Sequence, residues 1–335
     1  MTPQSRPGVP TVRGEVAADQ LGVVLPHEHL FVRNPEFHQN YPDLWDHAAG
    51  VELAAAQLEA AYELGVRTIV DMTVLGQGRD LGLVEQVAAR TRVNIVLATG
   101  IYAIDGLPQI IRYRGPGALL EGPEPVVDLL EADIRDGIAG SSVRAALLKF
   151  ATEQPEPDAT VRRLADAVAE VHRRTGVPVV VHTDPVSRNA LGVLELLTDR
   201  GVPADHVVLA HAGESEDLGH LRELAATGAF LGIDRFGMEA LFPDAARVAN
   251  AVALAEDGYA GSLLLSHDCA SFIDHVTQEQ RAALSPQWSY SHLHLRVLPQ
   301  LRAAGVDDAL LATFFEQNPQ RLLGAIGEVA GAGAR

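Results

Sequence analysis

Six side chains that can bind metal ions stand at or near the ends of short apolar runs in this chain. They are His27, His29, Lys149, His182, His211 and Asp268. One residue separates His27 from His29, so on a β-strand both rings point to the same face while Glu28 points away. Two imidazoles at this spacing suit one divalent metal ion.

Two further histidines and an aspartate each close an apolar run. His182 follows Val-Val-Val, His211 follows Val-Leu-Ala, and Asp268 ends Leu-Leu-Leu-Ser-His-Asp. Taken singly, a histidine in such a place is more often a hydrogen-bonded core residue than a ligand. A carboxylate at the end of a buried strand costs free energy unless it has a partner, and a metal ion is such a partner. Together, these residues predict a metal centre.

Lys149 interrupts the apolar run Leu-Leu-Lys-Phe. A buried lysine is costly unless it is used, although a lysine that extends its ammonium group to solvent is the alternative. Two divalent ions need anionic ligands, and Asp268 is the only carboxylate among the six. A neutral lysine amine can capture carbon dioxide as a carbamate, and burial beside metals disfavours the ammonium form. We therefore expect carboxylated Lys149 to bridge two divalent ions.

The elements that must position these residues form a repeating pattern of a short β-branched run, a turn and an Ala/Leu/Glu-rich helix. Eight strands are predicted, over Gly22–His29, Arg67–Thr73, Asn94–Gly100, Ala145–Thr152, Pro178–Thr183, Val207–Gly213, Phe230–Arg235 and Ser262–Asp268. Eight β/α units favour a closed (β/α)₈ TIM barrel of the α/β class, with an open doubly wound sheet as the alternative. Barrel enzymes carry their chemistry at the C-terminal face, where these strands end.

Composition narrows the class of protein further. The chain has 335 residues and 47% apolar residues, and we expect a single domain over 1–335 with a core of about 12–323. A net charge of −18 argues against nucleic acid and anionic membranes as partners. There is one cysteine, Cys269, and neither a secretory signal nor a membrane-spanning apolar run is found. These features predict a cytoplasmic protein.

The motifs resemble those of the phosphotriesterase family of the amidohydrolase superfamily, and most of all its lactonase-like branch. The resemblance runs from about Val12 to about Leu323. It rests on Val12-Arg13-Gly14, Pro26-His27-Glu28-His29-Leu30, Leu148-Lys149-Phe150-Ala151-Thr152, Val181-His182-Thr183, His211-Ala212-Gly213, Gly232-Ile233-Asp234-Arg235-Phe236-Gly237 and Ser266-His267-Asp268.

The resemblance implies a division of the ligands between two metal ions. His27, His29 and Asp268 would hold a buried ion, His182 and His211 a more exposed one, and carboxylated Lys149 would bridge them. Zinc is the expected metal, although cobalt, manganese or iron suit the same donors. Members of the family are often homodimers, so a homodimer is a further expectation.

Two residues outside the ligand set match residues that shape the pocket in lactonase-like members. Tyr102 would orient the bridging hydroxide or the substrate, and Arg235, after the seventh strand, would line the pocket. With Asp268 and Lys149, they are the expected catalytic residues. The chain departs from the family pattern at Ile104, where a second tyrosine is common, and at His275, near the place of a common tryptophan.

The favoured function is therefore a binuclear metal-dependent hydrolase of ester bonds, in which a metal-bridging hydroxide opens acyl-homoserine or other lactones. Promiscuous phosphotriesterase (aryldialkylphosphatase) activity is expected beside it. The main alternative is an enzyme whose primary substrates are phosphotriesters. Two remoter alternatives are a Schiff-base aldolase that uses Lys149 as nucleophile and a non-catalytic binding protein.

Overall fold

The computed structural model describes residues 8–104 and 106–325. Eight parallel strands form a curled sheet in which each strand pairs with the next along the chain. They are β3 (Val23–Val32), β4 (Val66–Asp71), β5 (Asn94–Ile101), β6 (Leu147–Ala151), β7 (Val179–His182), β8 (Val207–Ala210), β9 (Phe230–Ile233) and β10 (Leu263–Leu265). A short antiparallel hairpin, β1 (Val9–Thr11) and β2 (Gly14–Val16), precedes them. The predicted α/β barrel is confirmed.

The barrel is closed by the segment that contains β10 and continues into a further strand, β11 (Ala270–Ile273). The beginning of this segment pairs with β9 and its end pairs with β3, both in parallel. Between the two ladders, Asp268 N donates to His27 O at 3.0 Å, and His29 N donates to Cys269 O at 2.8 Å. One stretch of chain therefore joins the last strand to the first.

Helices follow most of the strands and cover the outside of the sheet. They are α1 (Pro35–Asn40), α2 (His47–Glu63), α3 (Leu81–Ala88), α4 (Gln109–Arg112), α5 (Pro125–Arg135), α6 (Ala159–Thr175), α7 (Ala190–Thr198), α8 (Leu218–Ala226), α9 (Asp244–Leu254), α10 (Gln278–Leu284), α11 (Leu298–Ala303), α12 (Asp308–Ala312) and α13 (Asn318–Gly324). Among the described residues, none of these helices combines the length and apolarity needed to cross a membrane.

Aspartate side chains fix the start of many of these helices. Five helices begin with an aspartate whose carboxylate accepts a hydrogen bond from a backbone N–H of the first turn; these residues are Asp46, Asp80, Asp158, Asp217 and Asp307. Such caps satisfy free N–H groups and complement the positive end of the helix dipole. These caps fix the residue at which each of the five helices begins. They therefore also fix the residue at which the preceding loop ends.

The barrel interior is filled with apolar side chains below the ends of the strands. They include Val24, Val70, Val96, Leu147, Val180, Val208, Phe230 and Leu264. Val9 and Leu21 join this cluster from the N-terminal segment, and Leu322 and Leu323 join it from α13. Val12 N donates to Ile95 O near the start of β5, so the hairpin lies at the end where the strands begin. The opposite end, where the strands stop, is left for polar side chains.

Candidate metal centre

Four of the predicted ligands meet where β3 and β6 face the segment after β10. His29 Nε2 lies 3.2 Å from Asp268 Oδ1, and His27 Nε2 lies 3.4 Å from the same oxygen. Lys149 Nζ lies 3.5 Å from His27 Nε2. His27, His29 and Lys149 are buried, and the side chain of Asp268 is 17% exposed. Asp268 therefore stands between the buried cluster and the mouth of the barrel.

The remaining two predicted ligands lie on the neighbouring strands and extend the same cluster. His182 ends β7, and His211 directly follows β8. His182 Nδ1 lies 2.9 Å from His211 Nε2, and that nitrogen lies 3.9 Å from Asp268 Oδ2. All six side chains thus belong to one connected group at the carboxyl ends of the strands.

The backbone at His211 and Asp268 corrects the predicted strand bounds. The predicted strands run to Gly213 and Asp268, but the ladders end at Ala210 and Leu265. Both residues have positive φ, 67° at His211 and 51° at Asp268. This conformation is uncommon outside glycine and costs about 1–3 kcal/mol. The positive φ ends the alternation of side chains between the two faces of the strand and directs the side chains of His211 and Asp268 into the cluster.

Asp234 anchors two of the histidines from the side away from the cluster. Its carboxylate accepts from His27 Nδ1 at 2.7 Å and from His211 Nδ1 at 2.8 Å. It also accepts from the backbone N–H of His211 at 2.9 Å. Burial raises the pKa of Asp234, but His211 and His27 lower it far more, so the carboxyl stays ionised. Asp234 directly follows β9, and its carboxylate packs against Gly232. A side chain at position 232 would displace the carboxylate, because a Cβ there would lie 2.4 Å from it.

The other two histidines also have a partner on the outer ring nitrogen. His29 Nδ1 lies 2.8 Å from Thr73 Oγ1, and His182 Nε2 lies 3.5 Å from Glu153 Oε1. Burial lowers the pKa of His29 and His182, and lowers that of His211 well below its ordinary value. These three rings are therefore neutral near pH 7, which is the form that binds metal ions.

Lys149 is almost completely buried, with 1% of its surface exposed. No carboxylate oxygen lies within ion-pair distance of its Nζ in the part of the chain that the structure describes. Burial lowers its pKa to about 8, although Asp268, Asp234 and Asp71 act in the opposite direction. Close approach of β5 makes this position possible, because a Cβ at Gly100 would lie 1.7 Å from the Lys149 carbonyl oxygen.

The donor set fits a pair of divalent metal ions. Two groups of three residues each offer ligand atoms that lie within 4.8 Å of one another inside the group. One group is His27, His29 and Asp268, and the other is His27, His211 and Asp234. Neutral imidazoles and carboxylates are the ligands that zinc and similar ions prefer in proteins, and each histidine has the outer hydrogen-bond partner that such ligands usually have. Two His/Asp clusters are thus consistent with a binuclear metal centre.

Tyr102 and Arg235 both lie at this cluster. The Tyr102 ring stands edge-on to His182, with 5.3 Å between ring centroids, and Lys149 Nζ lies 5.8 Å from the tyrosine ring. Burial raises the pKa of Tyr102, so its hydroxyl remains a proton donor at neutral pH. Arg235 Nε donates to Asp268 Oδ2 at 3.4 Å, and Nη1 donates to Glu214 Oε2 at 3.3 Å.

The two departures from the family pattern lie in loops at the mouth of the barrel. Ile104 is half-buried in the loop after β5, and its neighbour Asp105 lies outside the described residues. His275 is exposed in the loop after β11. The preceding residue, Asp274, ties that loop to the segment after β3, because its Oδ1 lies 2.9 Å from His38 Nε2.

Several residues of the site had no role in the sequence-based prediction, and Glu28 is the most deeply buried of them. Its carboxylate, fully buried, accepts from Ser266 Oγ at 2.8 Å, from His267 Nδ1 at 2.6 Å and from Cys269 N at 2.8 Å. It therefore holds the chain on both sides of Asp268. The sequence does indicate such a role, because Glu28 lies between His27 and His29 in a buried strand, and a buried carboxylate needs a hydrogen-bond partner inside the protein.

Asp234 and Glu153 were likewise without a predicted role. Both carried a signal, since Asp234 directly follows the apolar run of β9 and Glu153 follows that of β6 by one residue. A polar residue that closes an apolar run predicts a site residue at His182, His211 and Asp268, and the same rule applies to these two acids.

Comparison with known proteins identifies the class to which this fold and site belong. The model of the phosphotriesterase family matches residues 7–323. A "phosphotriesterase homology protein" from Mycobacterium tuberculosis is 41% identical over 317 residues, which cover 94% of this chain and 97% of that protein. An "aryldialkylphosphatase" from Saccharolobus solfataricus is 30% identical over 311 residues, which cover 92% and 97% respectively.

A solved structure agrees with these sequence matches. The structure described as the phosphotriesterase from Mycobacterium tuberculosis superimposes with a TM-score of 0.92 at 40% identity, and the match covers 95% of this chain and 98% of that one. The fold, the two His/Asp clusters and these matches define a binuclear metal-dependent hydrolase of ester bonds. The chain belongs to the phosphotriesterase family of the amidohydrolase superfamily.

Proposed function

We propose that this enzyme opens lactones as its main activity and hydrolyses phosphotriesters more slowly. The observation that carries the proposal is the position of two residues with hydrogen-bond donors at the metal centre: the Tyr102 ring stands beside His182, and the Arg235 guanidinium lies beside Asp268. As water adds to a lactone carbonyl, negative charge develops on one oxygen, and donors held in place for that oxygen lower the barrier. The name of the Saccharolobus relative, an aryldialkylphosphatase, supports the phosphotriesterase activity.

The proposed ligand set keeps the six residues of the cluster. His27, His29 and Asp268 would hold the first ion, and His182 and His211 the second. Asp234 lies at hydrogen-bond distance from Nδ1 of His27 and His211, so we assign it the role of anchor and leave Nε2 of both rings to the metals. Zinc is the proposed metal, and cobalt, manganese and iron are alternatives that such donors accept.

Lys149 would complete the set as a carbamate that bridges the two ions. Its amine attacks the carbon of carbon dioxide, one N–H proton leaves to water, and an anionic carbamate with two oxygens results. Two features support this modification: the burial of Nζ and the absence of a carboxylate in ion-pair contact with it among the described residues. An unpaired ammonium group there would be costly, whereas a carbamate beside two cations is not.

When bound, the metal pair would polarise the substrate and lower the pKa of water. Asp268 is suited to accept the proton of the attacking water, because its carboxylate lies beside His27 and His29 of the first proposed ligand group and 3.9 Å from His211 of the second. The new C–O bond forms at the carbonyl carbon, the ring C–O bond breaks, and a proton reaches the ring oxygen to give a hydroxy acid. Arg235 would hold Asp268 in position, and Tyr102 would orient the substrate.

A substrate panel tests this proposal directly. The kcat/KM for an acyl-homoserine lactone, for a simple γ-lactone and for a dialkyl aryl phosphate would be measured on the zinc-loaded enzyme. We expect both lactones to exceed the phosphate. A lactone rate no higher than that of metal-free enzyme would contradict the proposal, and a phosphate kcat/KM above both lactones would favour the alternative of a primary phosphotriesterase.

The proposed setting is a cytoplasmic homodimer. The lone cysteine, Cys269, is buried, which suits a reducing compartment. Phe37, Tyr41 and Leu44 are exposed in the segment after β3 and would suit contact with a second copy. Light scattering coupled to gel filtration would give the mass, and a monomer at micromolar concentration would contradict the dimer.

A further inference from the structure

We propose that Glu153 is a positioning residue that fixes the ring of His182 and thereby sets the affinity of the site for the second metal ion. The inference rests on the binuclear centre proposed above, and it concerns a residue that lies outside the ligand set.

The ring of His182 is turned differently from those of the other three histidines. His182 directs Nδ1 into the cluster, 2.9 Å from His211 Nε2, whereas His27, His29 and His211 all have their outer partner on Nδ1. A neutral imidazole has one N–H and one lone pair. With the N–H on Nε2, the nitrogen that lies 3.5 Å from Glu153 Oε1, the lone pair of Nδ1 is free for a metal ion.

Glu153 is held in place by its backbone. Thr152 N donates to His182 O at 2.9 Å, which extends the pairing of β6 and β7 by one residue. Asn189 Nδ2 donates to Thr152 O and to Gln154 O, both at 3.1 Å. Asn189 is 3% exposed, so a buried amide holds the residues on either side of Glu153. The carboxylate therefore starts from a fixed position over the outer edge of His182.

The contrast with Asp234 gives the expected size of the effect. Asp234 is 1% exposed and accepts from His27 and His211, so it holds two rings together. Glu153 has a side chain that is 43% exposed, and among the described residues its carboxylate pairs only with His182. Loss of an outer hydrogen-bond partner typically weakens metal binding about 10–100-fold. Loss of Glu153 should therefore weaken only the ion that His182 binds.

Metal titration of the apoprotein tests this assignment without reference to turnover. Metal would be removed from the full chain by chelation, and Zn²⁺ would be added back in a calorimeter, with Co²⁺ absorption as a second probe. For Glu153→Ala we expect an unchanged first equivalent and a second equivalent weakened about 10–100-fold. Glu153→Gln should restore most of this loss, because its amide oxygen still accepts the Nε2 hydrogen. Glu156→Gln, an exposed acid in the same loop, is the matched control.

A second variant separates positioning from a general effect of charge. Asn189→Ala keeps the carboxylate but frees the loop, and it should weaken the second equivalent in the same direction by a smaller factor. Two tight equivalents in Glu153→Ala, or an equal loss in Glu156→Gln, would overturn the role of Glu153 alone. Fewer than two equivalents in the wild-type protein would overturn the binuclear centre itself and this inference with it.

Discussion

The two sides of the metal centre differ in how their histidines are held. On the Asp234 side, one buried carboxylate binds His27 and His211 at 2.7 and 2.8 Å. On the Glu153 side, a partly exposed carboxylate stands 3.5 Å from His182. The first arrangement fixes two rings at once, and the second leaves one ring with a partner that water can replace. We therefore expect the ion held by His27 and His29 to be retained more tightly than the ion held by His182 and His211, because only the second ion depends on the loosely held ring of His182.

The largest effect is expected where the two sides meet, at Lys149. Lys149→Ala removes the only side chain proposed to bind both ions, so both should be lost and kcat/KM should fall to the level of metal-free enzyme. Elemental analysis after gel filtration would count the ions, with Lys149→Met as an apolar control of similar length. Partial recovery of metal and activity with added acetate would support a bridging carboxylate. Two retained equivalents would contradict the proposed role.

Asp268 also lies between the two sides, and its substitution should act on turnover. Asp268→Asn keeps the shape of the side chain but cannot accept the proton, so kcat should fall by about 10²–10⁴-fold. Thermal unfolding should show that the fold persists, since the backbone bond from Asp268 N to His27 O remains. Full turnover in this variant would exclude Asp268 as the proton acceptor.

Substitution on the Asp234 side should weaken both ions together. Asp234→Asn replaces an acceptor of two ring N–H groups by an amide that can accept at one oxygen only. Each ion should bind about 10–100-fold less tightly, because His27 and His211 belong to different ions in the proposed set. Calorimetric Zn²⁺ titration would measure both steps. If one step alone weakened, the two sides would not share Asp234 in the way that the geometry suggests.

The smallest effect is expected from the Tyr102 hydroxyl. Tyr102→Phe keeps the ring against His182 and removes one neutral hydrogen bond, which is worth about 0.5–1.5 kcal/mol. The kcat/KM for lactones should therefore fall by roughly 2–10-fold, and that for a phosphotriester should fall less. Metal content should not change. An equal loss on both substrates would remove the argument that Tyr102 favours lactones.

The barrel and the place of the site could be predicted from sequence because buried parallel strands leave long apolar runs. A polar residue such as His182 or Lys149 at the end of such a run is conspicuous, and strand ends meet at one face of a barrel. All eight predicted strands are present, but β3 continues to Val32, three residues beyond the predicted end. A strand ends where its backbone hydrogen bonds to the adjacent strands end, not where its apolar run ends. These hydrogen bonds depend on residues that are distant in sequence.

The features that escaped prediction depend on contacts between segments far apart in the chain. The positive φ of His211 and Asp268 accompanies hydrogen bonds from their backbone N–H groups to Asp234 and His27, and nothing in the local sequence signals it. Glu28 meets its partners almost 240 residues along the chain, as its bond to Ser266 Oγ shows. Such carboxylates can be suspected from sequence, but their partners appear only once the barrel is closed.

The segment from Leu263 to Ile273 completes the barrel wall and also carries Asp268. The closure of the barrel and the proposed proton acceptor therefore occupy the same eleven positions. An insertion or deletion in this stretch would displace the carboxylate as well as open the seam between the last strand and the first. Evolution of new substrate ranges has more freedom in the loop after β5, where changes near Ile104 leave the wall and the acid untouched.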